Sequence, residues 1–147
     1  MKLSILIFEP DPALRNLLRT YLAGQGHTVQ AFADPSICPL FKDPEDQSCC
    51  CVKTQPCGDA VLMDLRMPRI SALDFLKRQR SLGCKALDAN KAIMSTSLGK
   101  SVDEAIQRFG CHYIAKPFHL EAIGRWIKEC AARVKAGQSH PDTRQAG

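Results

Sequence analysis

What these 147 residues lack narrows the field first. No apolar run approaches the ~20 residues that a membrane-spanning helix needs. The amino terminus, Met-Lys ahead of a short apolar run with charges close behind, is too short for the apolar core of a secretory leader. The chain is therefore expected in the cytoplasm, with no membrane partner. Neither sign of charge is in large excess: 20 basic residues against 15 acidic give +5, a solvated surface that permits acidic partners without demanding direct contact with nucleic acid. No internal repeat is visible. Cysteines are numerous, eight in all, yet none are paired at the C-x₂-C spacing that marks zinc sites.

What is present is ordinary for one globular domain: 45% hydrophobic and 24% charged residues, in a chain long enough to bury a core. Four apolar runs read as buried strands, at 4–8 (SILIF), 60–63 (AVLM), 92–94 (AIM) and 113–115 (YIA), with a weaker fifth at 28–32 (TVQAF). The runs are continuous rather than alternating, as in a parallel sheet covered on both faces. Helical stripes lie between them. Asp11 stands as an N-cap with Pro12 at the first helical position, and Leu14, Leu17, Leu18, Tyr21 and Leu22 then share a face. Val102, Ala105, Ile106 and Phe109 form a second stripe. Leu120, Ile123, Ile127, Cys130, Ala131 and Val134 form another, ended by Gly137. Residues 72–80 (ALDFLKRQR) make a less cleanly patterned helix. Strands alternating with such helices predict βαβ units and a doubly wound α/β sheet.

In such a sheet ligands gather beyond the carboxyl ends of the strands. Those ends carry Glu9, with Pro10 and Asp11 behind it; Asp64, in VLMDLRMP; Ser95, Thr96 and Ser97, in IMSTSLG; and Lys116, in YIAKPF. Any one alone could be a surface loop residue. Four polar ends, each after its own apolar strand, suit phosphoryl chemistry: a carboxylate accepts the group, and an ammonium and a hydroxyl bind its oxygens.

Through VLMDLRMP and AKPF, separated by IMSTSLG and an amphipathic helix, residues 2–136 resemble the receiver domain of two-component response regulators. The resemblance implies a five-stranded (βα)5 flavodoxin-like fold, parallel throughout, with strand order 2-1-3-4-5. It implies a receiver domain over 1–136, interrupted by a Cys/Pro-rich irregular insert at about 35–58, and a disordered tail over 137–147. Asp64 would be phosphorylated by a histidine kinase or phosphotransfer protein. Thr96 would bind the phosphoryl group, Lys116 would pair with it, Ser97 would stand at the small-residue position that admits it, and Tyr113 would be the aromatic that changes rotamer. Mg²⁺ would be held by Glu9, Asp64 and the backbone carbonyl of Arg66. Receivers typically carry two adjacent acids after the first strand. Here those positions are Glu9 and Pro10, and proline offers no carboxylate and no N–H. The implied Mg²⁺ site is thereby weakened.

Rival readings are set by other absences. A phosphatase of the haloacid-dehalogenase type wants a second acid two residues after Asp64, where Arg66 stands, and a flavin protein wants a Ser/Thr/Gly-rich loop where EPDPALR stands. The chain is accordingly read as a signalling module, not an enzyme. With nothing after 136 that could fold into an output domain, signalling would pass to a downstream protein by contact, by a homodimer through the last helix and strand, or through a domain outside these residues. Two alternatives stay open: a degenerate receiver used for docking, and a thiol or metal sensor. The latter would use Cys38, Cys49, Cys50, Cys51 and Cys57, crowded into twenty residues with four prolines over 35–58. Consecutive cysteines can hardly all face one tetrahedral ion, so a tolerated surface loop is the simpler reading. Cys84, Cys111 and Cys130 read as core or boundary residues, and His112 and His119 as boundary packing.

Overall fold

A computed structural model of the protein describes residues 1–38, 58–81, 83–96 and 99–137. Its elements run β1 (Ser4–Phe8), α1 (Pro12–Gly24), β2 (Thr28–Phe32), a short 3₁₀ turn (Pro35–Ile37), β3 (Ala60–Asp64), α2 (Ala72–Ser81), a second 3₁₀ turn (Asp88–Asn90), β4 (Lys91–Ser95), α3 (Lys100–Phe109), β5 (His112–Ala115) and α4 (Leu120–Lys135). The five strands form one parallel sheet in the order β2-β1-β3-β4-β5, the doubly wound arrangement expected. Of the segment over 35–58, only its two ends are described. Cys49, Cys50, Cys51, Cys57, Ser97 and the tail over 138–147 lie outside the described residues.

The sheet is sandwiched because β1 presents both faces to apolar partners. Ile5 and Ile7 join Leu18 and Leu22 of α1 and Ile123, Trp126 and Ile127 of α4. Leu6 and Phe8 point the other way, to Phe75 and Leu76 of α2 and Ala105 and Phe109 of α3. Fully burying an aliphatic side chain of this size stabilises by roughly 1.5–3 kcal/mol, and Ile5, Ile7, Leu62 and Met63 are wholly buried. That is why β1 and β3 read as continuous apolar runs.

Two details depart from the pattern read in the sequence. Leu17, placed on the apolar face of α1, is 49% exposed; the buried stripe narrows to Leu18 and Leu22. The strands also run further than their apolar cores, so Asp64 and Ser95 are the last residues of β3 and β4 rather than the first residues of loops. The ladder hydrogen bonds explain this: Leu65 N–H still donates to the Met94 carbonyl at 2.8 Å, and Lys116 N–H to the Ser95 carbonyl at 2.8 Å.

Candidate functional site

The acids are delivered by backbone pairing. Glu9 N–H donates to the Phe32 carbonyl at 2.9 Å, which carries the β1–β2 ladder one residue past the strand and fixes where the Glu9 side chain starts. Asp11 then caps α1, its Oδ1 accepting from Ala13 N–H at 3.0 Å. Pro10 stands between them, and Arg15, one turn into the helix, donates from its guanidinium to the Glu9 carbonyl at 2.8 Å and the Pro10 carbonyl at 3.4 Å. Sequence reading overlooked Arg15; the signal was its position four residues after the cap, on the helix turn that faces the loop.

At the centre, Lys116 Nζ donates to Glu9 Oε1 at 2.7 Å and to Asp64 Oδ1 at 2.5 Å. The remaining carboxylate oxygens are also occupied: Glu9 Oε2 accepts from Asp11 N–H at 3.0 Å, and Asp64 Oδ2 from Arg66 N–H at 2.9 Å. Burial of the ammonium works against its charge. Hydrogen bonds to Asp64 and Glu9, and the charges of those carboxylates, outweigh that cost, so Lys116 titrates above an ordinary lysine. Glu9 is only 2% exposed.

Beside this trio opens a cavity of about 210 Å³ lined by Asp64, Leu65, Arg66, Ser95, Thr96 and Lys116. It brings together four of the predicted residues: Asp64, Arg66, Thr96 and Lys116. Glu9 is not among the described residues that line it, and meets it only through its hydrogen bond with Lys116. Tyr113 sends its hydroxyl to the Ser95 carbonyl at 3.2 Å, the same carbonyl that takes the Lys116 N–H. The aromatic is thus tied to the last residue of β4, directly before Thr96. The loop after Asp64 is closed by an antiparallel bridge between Arg66 and Ser71, and the Lys116–Pro117 peptide bond is cis.

Other singled-out residues lie elsewhere. Cys111 and Cys130 are buried, and desolvation pushes their thiols up to about 11 and about 12, the opposite of a reactive cysteine. Cys38 packs against the α2–α3 side of the core and Cys84 is half-buried. His112 stacks on Trp126 at 5.4 Å, and His119 occupies the N-cap position of α4. Among the described residues, no three His, Cys, Asp or Glu side chains converge as a metal site would require, and no helix is long and apolar enough to cross a membrane.

Comparison with known proteins shows what the fold and sequence resemble. No protein-family model matches the chain. It is 27% identical over 138 residues to the response regulator MprA of Mycobacterium ulcerans, covering 92% of this chain and 53% of that protein. It is 28% identical over 123 residues to the two-component response regulator PhoP of Pseudomonas aeruginosa, covering 82% and 48%. The chain thus spans about half the length of the curated relatives it matches. Among solved structures, the receiver domain of Francisella response regulator 1452 superposes with a TM-score of 0.68 at 16% identity, covering 90% of this chain and 98% of that one. The Vibrio cholerae chemotaxis protein CheY4 gives 0.63 at 17% identity, covering 88% and 99%. Over most of its length the chain is thus similar to the receiver part of response regulators, and it shares the fold of solved receiver domains.

Proposed function

We propose that this receiver is a phosphoacceptor in a two-component relay, with Asp64 taking a phosphoryl group from the phosphohistidine of a kinase or phosphotransfer protein. The carrying observation is the Lys116 ammonium shared between Glu9 and Asp64 at the wall of a cavity that Thr96 also lines. An Asp64 carboxylate oxygen attacks phosphorus, the P–N bond to the donor imidazole breaks, and the ring nitrogen keeps the electron pair and is reprotonated. Lys116 neutralises charge on the transferred group, and the Thr96 hydroxyl donates to one of its oxygens. Engaging Thr96 pulls on the end of β4 where Tyr113 is fastened, so the α3–β5 face is the element whose two populations the phosphoryl group biases. Output passes to a downstream protein through that face.

Receiver domains commonly bind Mg²⁺. The donor set here fits it poorly. Both candidate carboxylates already answer Lys116 and backbone N–H groups, Pro10 adds no carboxylate, and Mg²⁺ demands near-ideal octahedral oxygens and dehydrates reluctantly.

The test is intact-mass spectrometry after incubation with a small phosphoryl donor such as phosphoramidate. A single phosphoryl adduct on the wild type that disappears in Asp64→Ala is the expected result. An adduct that persists in Asp64→Ala, or a folded wild type that takes none, removes the reading.

A further inference from the structure

We infer that Lys116 is the resident cation of this acidic pocket, standing where a divalent metal would, so that Asp64 undergoes phosphoryl transfer without Mg²⁺. The inference deepens the phosphoacceptor reading and, for its chemical half, rests on it. Three observations converge. First, Glu9 and Asp64 share one ammonium, at 2.7 and 2.5 Å, and each keeps its other oxygen on a backbone N–H. Each carboxylate oxygen of the pair already has a protein donor, so an entering metal must compete with the Lys116 ammonium for both acids. Second, Glu9 is 2% exposed and does not line the cavity, whereas Asp64 and Lys116 do. A cation arriving from solvent meets Asp64 and the ammonium before it can reach a second carboxylate. Third, the loop offers an entering cation little else. Pro10 stands between the acids without a carboxylate, Asp11 spends Oδ1 on the α1 cap, and the Arg15 guanidinium lies on the Glu9 and Pro10 carbonyls.

The charge balance points the same way. Two carboxylates against one ammonium leave a single net negative charge, and a divalent ion would reverse its sign. In the transfer step the Lys116 ammonium moves its attention from Asp64 Oδ1 to the incoming phosphoryl oxygens while staying anchored on Glu9. The P–N or P–O bond of the donor breaks toward the leaving group, as in any in-line displacement. Glu9 is the positioning residue here: buried and fixed by Asp11 N–H, it keeps the ammonium at the pocket when Asp64 becomes an acyl phosphate.

The experiment has two arms on the full chain. In the first, Mg²⁺ is titrated calorimetrically into the wild type, Pro10→Asp and Lys116→Met, each checked for folding by circular dichroism. Pro10→Asp restores a carboxylate, and Lys116→Met removes the competing ammonium. Each should tighten Mg²⁺ on the order of ten- to a hundredfold over the wild type, the scale on which altering a metal site's supporting groups usually acts. A wild type that binds Mg²⁺ as tightly as Pro10→Asp overturns the inference, and if one variant fails to fold the other carries the comparison. In the second arm, the phosphoramidate reaction of the wild type is followed by intact mass with Mg²⁺ or with excess EDTA. Equal rates support the inference. An adduct formed only with Mg²⁺ overturns it while leaving Asp64 as the phosphoacceptor. No adduct in either condition counts against the phosphoacceptor reading, and the calorimetric arm then decides the resident-cation claim alone.

Discussion

At the scale of single residues, a second lysine shows how differently a buried charge can be used. Lys116 faces a cavity with two carboxylates around it, whereas Lys91, the first residue of β4, is 2% exposed and pairs with Asp88 at 3.3 Å, three residues earlier. Asp88 also takes the Arg80 guanidinium at 2.8 Å. Arg80 lies over the Phe109 ring at 5.0 Å and reaches the Arg108 and Phe109 carbonyls, so it clasps the C-terminal ends of α2 and α3 together. Replacing a buried ion pair by apolar groups is often neutral, while removing one partner strands the other charge. Lys91→Met should therefore change stability by no more than about 1 kcal/mol, because the aliphatic stem is already packed and Asp88 keeps Arg80. Asp88→Asn should cost roughly 2–4 kcal/mol, somewhat below the range for a fully buried pair since Asp88 retains some water. Urea unfolding of the two variants checks the asymmetry; equal losses would mean that the pair acts as one interaction.

At the scale of elements, the packing of α1 on α4 hangs on one small residue. A Cβ built at Gly124 would stand 2.8 Å from the Tyr21 hydroxyl oxygen, closer than such atoms come. Glycine in a helix interior costs about 1 kcal/mol relative to alanine, so here helix propensity is given up to let Tyr21 lie across α4. In a Tyr21→Phe background, Gly124→Ala should raise stability by about 0.5–1 kcal/mol; with Tyr21 present the gain should shrink or reverse. A double-mutant cycle by thermal unfolding measures that coupling, and additive effects would dismiss it. The same elements show what the sequence could reveal. The four strong strands were legible because each is an uninterrupted apolar run, and the α1 cap because Asp-Pro at a helix start has one physical meaning. Asp64, Thr96 and Lys116 were legible because each follows such a run. What could not be read was who pairs with whom. Nothing in YIAKPF says that Lys116 reaches 107 positions back to Glu9. Nothing in DANK says that Asn90 is wholly buried, donating to the Asp59 carbonyl at 2.9 Å and accepting from Arg133 at 2.6 Å. Those contacts are made only when β1, β4 and the last helix come together. Leu17 was misread because periodicity gives the centre of an apolar stripe better than its width.

At the scale of the molecule, the sheet has two unlike rims. The carboxyl rim carries the acids, the hydroxyl and Lys116; the amino rim carries two histidines. His27, just before β2, accepts the Leu3 N–H at its Nδ1 at 3.1 Å, and its pKa is lowered by burial and then by the positive chain terminus. His112, opening β5, stacks on Trp126 with its planes 11° apart. Burial lowers its pKa most, Glu129 opposes the shift, and Arg133 adds to it. A histidine whose folded pKa lies below the ordinary 6.5 binds protons more readily in the unfolded chain, so stability rises with pH between the two values and is lost as pH falls below about 6.5. For His27 the chemistry is direct, since a proton on Nδ1 would abolish the acceptor that holds Leu3. Acidification from pH 7.5 to 5.5 should therefore lower the urea midpoint, well above the range where most carboxylates titrate. The double variant His27→Gln, His112→Phe keeps an acceptor for Leu3 and an aromatic against Trp126, and should flatten that slope while leaving Asp64 phosphorylation intact, because neither side chain touches the carboxyl rim. A double variant as acid-sensitive as the wild type would dismiss the two histidines as the cause.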